Sequence, residues 1–150
     1  MKKSLIVVAL FFSVVLFAQK SHSNINWETN FEVAQKKAKK QNKPILMLFT
    51  GSDWCPPCKA LKRDFFNSAE FKTYSKKFVF LYVDFPRNKE LLTEKQTVAN
   101  KALGKKYGIK SFPIIVAVNS SGKVIDRIKS YNATGETRYH YDFVDKVLKR

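Results

Sequence analysis

Apolar residues along this chain fall into two kinds of run. Short, nearly unbroken ones cover residues 45–49, 78–83, 114–118 and 124–128. They are rich in β-branched and aromatic residues and bounded by Pro, Gly, Asn or Ser, which is the signature of β-strands. Elsewhere apolar residues recur at helical spacing: Phe31, Ala34 and Ala38 within 30–41, then Leu61, Phe65 and Phe66 within 59–66. Thr29 or Asn30 is placed to cap the first of these helices. A second helical piece is expected from Ser68, carrying Phe71 and Tyr74, and a final helix opens near Thr134-Gly135-Glu136 with Phe143, Val144, Val147 and Leu148 on one side. Residues 88–107 read as mostly helix, with Leu91, Leu92, Val98, Ala102 and Leu103 facing the core, a break within 97–100 and a stop at Gly104 or Gly108. Trp27 is expected to cover an edge of the core. Ser120-Ser121-Gly122-Lys123 reads as a turn that returns the last strand antiparallel to the one before it. The order helix, strand, helix, strand, helix, strand, strand, helix predicts an α/β domain with a mixed central sheet of about four strands flanked by helices. Its first strand–helix–strand unit should be parallel and right-handed.

The N-terminus narrows the domain. Lys2 and Lys3 precede an apolar run over 5–17 broken only by Ser13, followed by the small Ala18 and the polar Gln19-Lys20-Ser21. That is the layout of a secretory signal peptide, and the run is short of the roughly 20 apolar residues that span a membrane. The expected organisation is a signal peptide at 1–18, a flexible leader at 19–26 and a single domain at 27–150, exported to the bacterial periplasm. An uncleaved N-terminal anchor is the alternative. The net charge is +16, from 28 basic and 12 acidic residues, and loss of Lys2 and Lys3 with the signal peptide would leave +14. The lysines are scattered in pairs with no long basic run and no interleaved aromatics, so nucleic acid is not an expected partner. A solvated basic surface with a preference for acidic partners is.

Export also changes the meaning of the two cysteines, Cys55 and Cys58, which lie where the strand at 45–49 hands over to the helix at 59–66. Four-ligand zinc sites need more, and His22 and His140 are far apart in sequence. Outside the cytoplasm disulfides persist, but a bridge between neighbours closes a tiny loop and stabilises little. A helix start favours a thiolate, and the spacing lets Cys58 resolve a mixed disulfide formed on Cys55. Pro56 and Pro57 suit the first helical positions. Redox chemistry is the favoured reading, and a site for a soft metal such as copper(I) on the same sulfurs is the alternative. No resident metal and no organic cofactor is expected.

The stretch Phe49-Thr50-Gly51-Ser52-Asp53-Trp54-Cys55-Pro56-Pro57-Cys58-Lys59, the later Tyr107-Gly108-Ile109 and Ser111-Phe112-Pro113, the Gly122-Lys123 hairpin and the closing helix together resemble the thioredoxin superfamily. The likeness covers roughly 27–148 and is greatest to exported thioredoxin-like (thiol:disulfide interchange) proteins. It implies a thioredoxin fold and an oxidoreductase that reduces protein disulfides, with Cys55 as the exposed attacking thiolate and Cys58 as the resolving thiol. It also implies that the two join as a disulfide when oxidised. Pro113 would be the family's cis proline, presenting the Phe112 backbone to an extended substrate, and Trp54 would shield the dithiol. The implied partners are protein thiols and disulfides and a membrane electron donor. Where many thioredoxins carry a buried acid in the strand before the dithiol, this chain has Leu48 or Phe49, neither of which can take a proton. Asp53 is expected on the loop as a solvated or capping residue. Residues 85–99 exceed a minimal thioredoxin and read as a helical insertion, with a lid or partner contact as the alternative. A peptide-binding module gripping through Trp54, Phe112 and the basic surface is the competing function.

Overall fold

A computed structural model describes residues 25–132 and 134–150. The signal-peptide reading of 1–18 and the leader up to residue 24 lie outside the described residues. The elements are β1 (Trp27–Glu28), α1 (Phe31–Gln41), β2 (Ile45–Thr50), α2 (Pro56–Leu61), β3 (Val79–Asp84), α3 (Glu94–Lys106), β4 (Ile114–Val118), β5 (Val124–Lys129) and α4 (Arg138–Leu148). They build one sheet in the order β1-β3-β2-β4-β5. The strands β1, β3 and β2 are parallel, β4 runs antiparallel to β2, and β5 runs antiparallel to β4.

Strand β2 shows why the central runs are apolar at every position. Leu46 and Leu48 join an aromatic cluster with Leu61, Phe65, Phe66 and residues of α4. Ile45, Met47 and Phe49 join a second cluster with Ala34 and Ala38 of α1 and Leu103 of α3. With both faces covered, alternation with polar residues disappears. The sheet has one strand beyond the expected four. Strand β1 is only two residues long, too short for any periodicity, and Trp27 fixes it by packing edge-on against Phe66, Phe80 and Tyr82 at 5.1–5.5 Å.

The helices depart from the sequence pattern in instructive ways. Asn30 caps α1 by accepting the Val33 N–H at 3.1 Å. Helix α2 widens into a π turn over Lys62–Phe66, which lets the adjacent rings of Phe65 and Phe66 share the core. The helical piece expected from Ser68 is a single 3-10 turn, Phe71–Thr73. Residues 88–107 break earlier than expected: a 3-10 turn at Lys89–Leu91 ends, and Thr93 starts α3 in a reciprocal capping box with Gln96. The T-x-x-Q signal outweighs the hydrophobic spacing here. As a result Leu91 is 53% and Val98 62% exposed, Ala102 is exposed and Leu92 half-buried, and only Leu103 of the five expected core residues is buried. The inward positions go instead to Gly104, which faces the Phe85 ring, and to Asn100, whose amide donates to the Asp84 carbonyl at 2.8 Å.

Helix α4 begins at Arg138, later than Thr134–Glu136, and buries His140 between the rings of Phe65 and Tyr131. The ring donates to the Ser130 carbonyl, while Nδ1 has no partner among the described residues. Burial disfavours the imidazolium and pushes His140 below its ordinary value of 6.5. The unfolded chain then takes up a proton at a pH where the folded one does not, so stability falls as pH drops through the ordinary value towards the folded one. Urea midpoints should fall between about pH 7 and pH 5, and His140→Phe should flatten that slope.

Candidate active site

The site is built where two strands end side by side. Ile114, the first residue of β4, pairs with Phe49 near the end of β2. The loop after β2, carrying the cysteines, therefore emerges beside the loop before β4, carrying Phe112 and Pro113. The Phe112–Pro113 peptide bond is cis. Pro113 is buried and Phe112 half-buried, and the Pro113 carbonyl accepts the Ser130 N–H at 2.9 Å.

The loop from Gly51 to Trp54 folds tightly on itself. A Cβ on Gly51 would lie 2.4 Å from the Trp54 indole, so only glycine admits the ring at that distance. The Cys55 N–H donates to the Gly51 carbonyl at 2.9 Å. Cys55 is the extended residue preceding α2, and its carbonyl accepts the N–H groups of Cys58 at 3.1 Å and Lys59 at 3.2 Å. Cys55 and Cys58 are joined as a disulfide, with an S–S distance of 2.08 Å.

Two properties of this pair differ from the sequence expectation. Cys55 is not an exposed residue: it is 3% and Cys58 2% exposed. The tight loop draws Cys55 inward, and Trp54 beside it packs edge-on against Phe112 at 5.9 Å. The start of α2 is also poor in donors. Pro56 and Pro57 occupy its first two positions and carry no N–H, and the next amide, that of Cys58, is already given to the Cys55 carbonyl. A thiolate on Cys55 keeps the aligned peptide dipoles but not the ring of free amides that a helix start normally offers.

Trp54 is half-buried and tied on every side. Its Nε1 donates to the Phe85 carbonyl at 2.8 Å, the Arg87 guanidinium lies 4.8 Å over its ring, and Phe85 packs on Phe112 at 5.1 Å. Asp53 completes the joint: its carboxylate accepts the N–H groups of Arg87 at 3.0 Å and Asn88 at 2.8 Å. These amides, that of Asn88 foremost, hold its carboxyl below the usual value of 3.8. Asp53 thus caps a neighbouring loop. Of the stretch 85–99, residues 85–88 wall the cysteine loop, while Lys89–Leu91 and the start of α3 are helical.

Leu48 and Phe49 are buried among apolar side chains, so no acid lies there. The buried carboxylate nearby is Asp84, which closes β3. It pairs across the sheet with Thr50, and its two oxygens accept the Ser52 N–H at 2.9 Å and the Ser52 hydroxyl at 2.5 Å. An acid closing an apolar strand was the available signal, but its partner depends on the β2–β3 register. Beside Cys58 opens a cavity of about 270 Å³ reached by Thr50, Ser52, Lys59, Lys62 and Tyr82. A groove of about 500 Å³ runs past Pro56, Pro57 and Ala60 on one side and Tyr131 and Asn132 on the other. Among the described residues no three His, Cys, Asp or Glu side chains converge as a metal site, and no helix is long and apolar enough to cross a membrane.

Residues 31–144 match the family model of the thioredoxin-like domain. The chain is 35% identical to the disulfide bond reductase DsbH of Chlamydia pneumoniae, over 71% of this chain and 63% of that protein. It is 30% identical to the thioredoxin-related protein DsbJ of the same organism, over 85% of this chain and 38% of that one. It thus spans less than two thirds of the length of either. A solved structure of a DsbH oxidoreductase superposes with a TM-score of 0.76 at 26% identity, covering 100% of this chain and 96% of that one.

Proposed function

Since this chain belongs to the thioredoxin-like domain family, we infer that it is a thiol:disulfide oxidoreductase that works in the reducing direction on protein disulfides. The observation that carries the reading is the Cys55–Cys58 disulfide at the β2–α2 junction, beside the cis Phe112–Pro113 bond. In its dithiol form, the Cys55 thiolate attacks one sulfur of a substrate disulfide. A Cys55–substrate disulfide forms and the other substrate sulfur leaves as a thiolate, which takes a proton from water. Cys58 then loses its proton and attacks the Cys55 sulfur, releasing the second substrate thiolate. Two electrons pass to the substrate, and the enzyme is left as the disulfide.

Pro56 and Pro57 carry no N–H, so the start of α2 offers few donors to an anion on Cys55, which favours the reducing direction. A dithiol whose thiolate is poorly stabilised gives up electrons readily. Among the relatives, one carries the name disulfide bond reductase. The substrate backbone would lie along Phe112 beside Pro113, with Trp54 as its apolar contact. Residues 1–18 would direct export to the periplasm, leaving 27–150 as the working domain. There a membrane-held dithiol donor would return the enzyme to its reduced form. The net charge of +14 that remains without Lys2 and Lys3 favours acidic partners.

The test is reduction of insulin by limiting dithiothreitol. The protein should speed precipitation of the released chain, and Cys55→Ser should lose the acceleration entirely. Acceleration that survives Cys55→Ser, or catalysis confined to the oxidation of reduced ribonuclease, would overturn the reading.

A further inference from the structure

The second step needs a proton to leave Cys58, and the acid that many thioredoxins place beneath it is here Leu48 or Phe49. The cavity of about 270 Å³ beside Cys58 shows what stands in its place. Cys58 and Lys62 are four residues apart on one continuous helical stretch, so they share a face, and both line this cavity. The other charged groups nearby are committed elsewhere. The Lys59 ammonium donates to the Asp53 carbonyl at 2.9 Å. Arg63 forks onto the Asp64 carboxylate at 2.6 and 2.9 Å. Asp84 has both oxygens on Ser52 and does not line this cavity. Tyr82 is pushed up to about 12, chiefly by burial, and stays a neutral phenol. Lys62 lies 5.1 Å over the Tyr82 ring, which holds its ammonium on the cavity side. Among the described residues no carboxylate lines the cavity.

We propose that Lys62 is the electrostatic partner of Cys58: its ammonium favours the Cys58 thiolate at the moment of resolution, in place of a buried carboxylate that would accept the proton. The proton passes from the Cys58 sulfur to water in the cavity. The resulting thiolate forms the bond to the Cys55 sulfur as the Cys55–substrate bond breaks, and the departing substrate thiolate is protonated by solvent. Lys62 gives and takes no proton; it shifts the fraction of Cys58 ready to attack. Because Lys62 is exposed, the effect has the size of a surface ion pair and weakens in salt.

The inference rests on the oxidoreductase reading, and two measurements separate their failures. Reduced full-length protein mixed with Ellman's reagent releases thionitrobenzoate in two phases. The first is attack by Cys55, and the second, independent of reagent concentration, is resolution by Cys58. Lys62→Gln should slow the second phase near neutral pH by roughly two- to fivefold, and Lys62→Glu by more, leaving the first phase and the melting temperature unchanged. Lys62→Arg should restore the wild-type rate, and high salt should narrow the differences. In a Cys55→Ser background, the Cys58 Cβ resonance should titrate at higher pH in Lys62→Gln than in the parent. Wild-type resolution and titration in both charge-removing variants would overturn the proposal, as would a shift produced by Asp84→Asn and not by Lys62→Gln. Absence of a second phase in the wild type would instead strike the oxidoreductase reading itself.

Discussion

Cys58→Ser should hold its substrates. The variant keeps the attacking sulfur on Cys55 but has nothing to displace what that sulfur captures, so disulfide-linked adducts accumulate and turnover collapses. The size of the loss follows from replacing a neighbouring thiol by one drawn from solution. Well-oriented intramolecular groups act as if present at enormous concentration, so turnover should fall on the order of a thousandfold or more. Non-reducing electrophoresis of cells expressing the variant should show adducts that vanish with dithiothreitol and are absent from Cys55→Ser. Should no adducts form under conditions where the wild type is active, the mixed-disulfide mechanism would be untenable. The double variant, with serine at both positions, separates catalysis from binding: partner capture that persists there would favour a peptide-binding module.

Phe65→Ala should cause the largest loss of stability of any single truncation near the site. Phe65 is fully buried. Its ring packs against Phe66 at 5.0 Å, Phe71 at 4.5 Å, Tyr141 at 4.9 Å and His140 at 5.4 Å. It therefore joins the helix bearing Cys58 to α4. Removing a buried phenyl group costs about 3–5 kcal/mol, against a total of about 5–15 kcal/mol for an ordinary domain. The urea midpoint should fall steeply, whereas Val98→Ala, at a site 62% exposed, should stay within about 0.5 kcal/mol of wild type. A loss below about 1 kcal/mol for Phe65→Ala would mean that the aromatic cluster is not the support described here.

What the sequence disclosed, and what it hid, divides along physical lines. Strands β2 and β4 were legible because both faces of the sheet are covered, which leaves unbroken apolar runs between turn residues. The cysteine pair was legible because two sulfurs at that spacing after such a strand have few other uses. The break at Leu92–Thr93 rests on a local capping box, whereas apolar spacing across 88–107 points Leu91 and Val98 to a core they do not enter. The short strand at Trp27 has no period to read. The contacts that shape the site are long-range: Asp84 reaches Ser52, and Asp53 reaches Arg87 and Asn88, across more than thirty residues. They depend on register and loop path, which local pattern does not encode. The burial of Cys55 belongs in part to the same class, since Trp54 beside it packs on Phe112 of the loop before β4.

The most direct measurement is the equilibrium of the Cys55–Cys58 pair against a thiol redox buffer, read by alkylation and mass. A single two-electron transition is expected, with a potential near that of reducing dithiols of this fold, about −270 mV. A potential near the strongly oxidising end, about −120 mV, would contradict the account, and so would a pair that does not cycle at all.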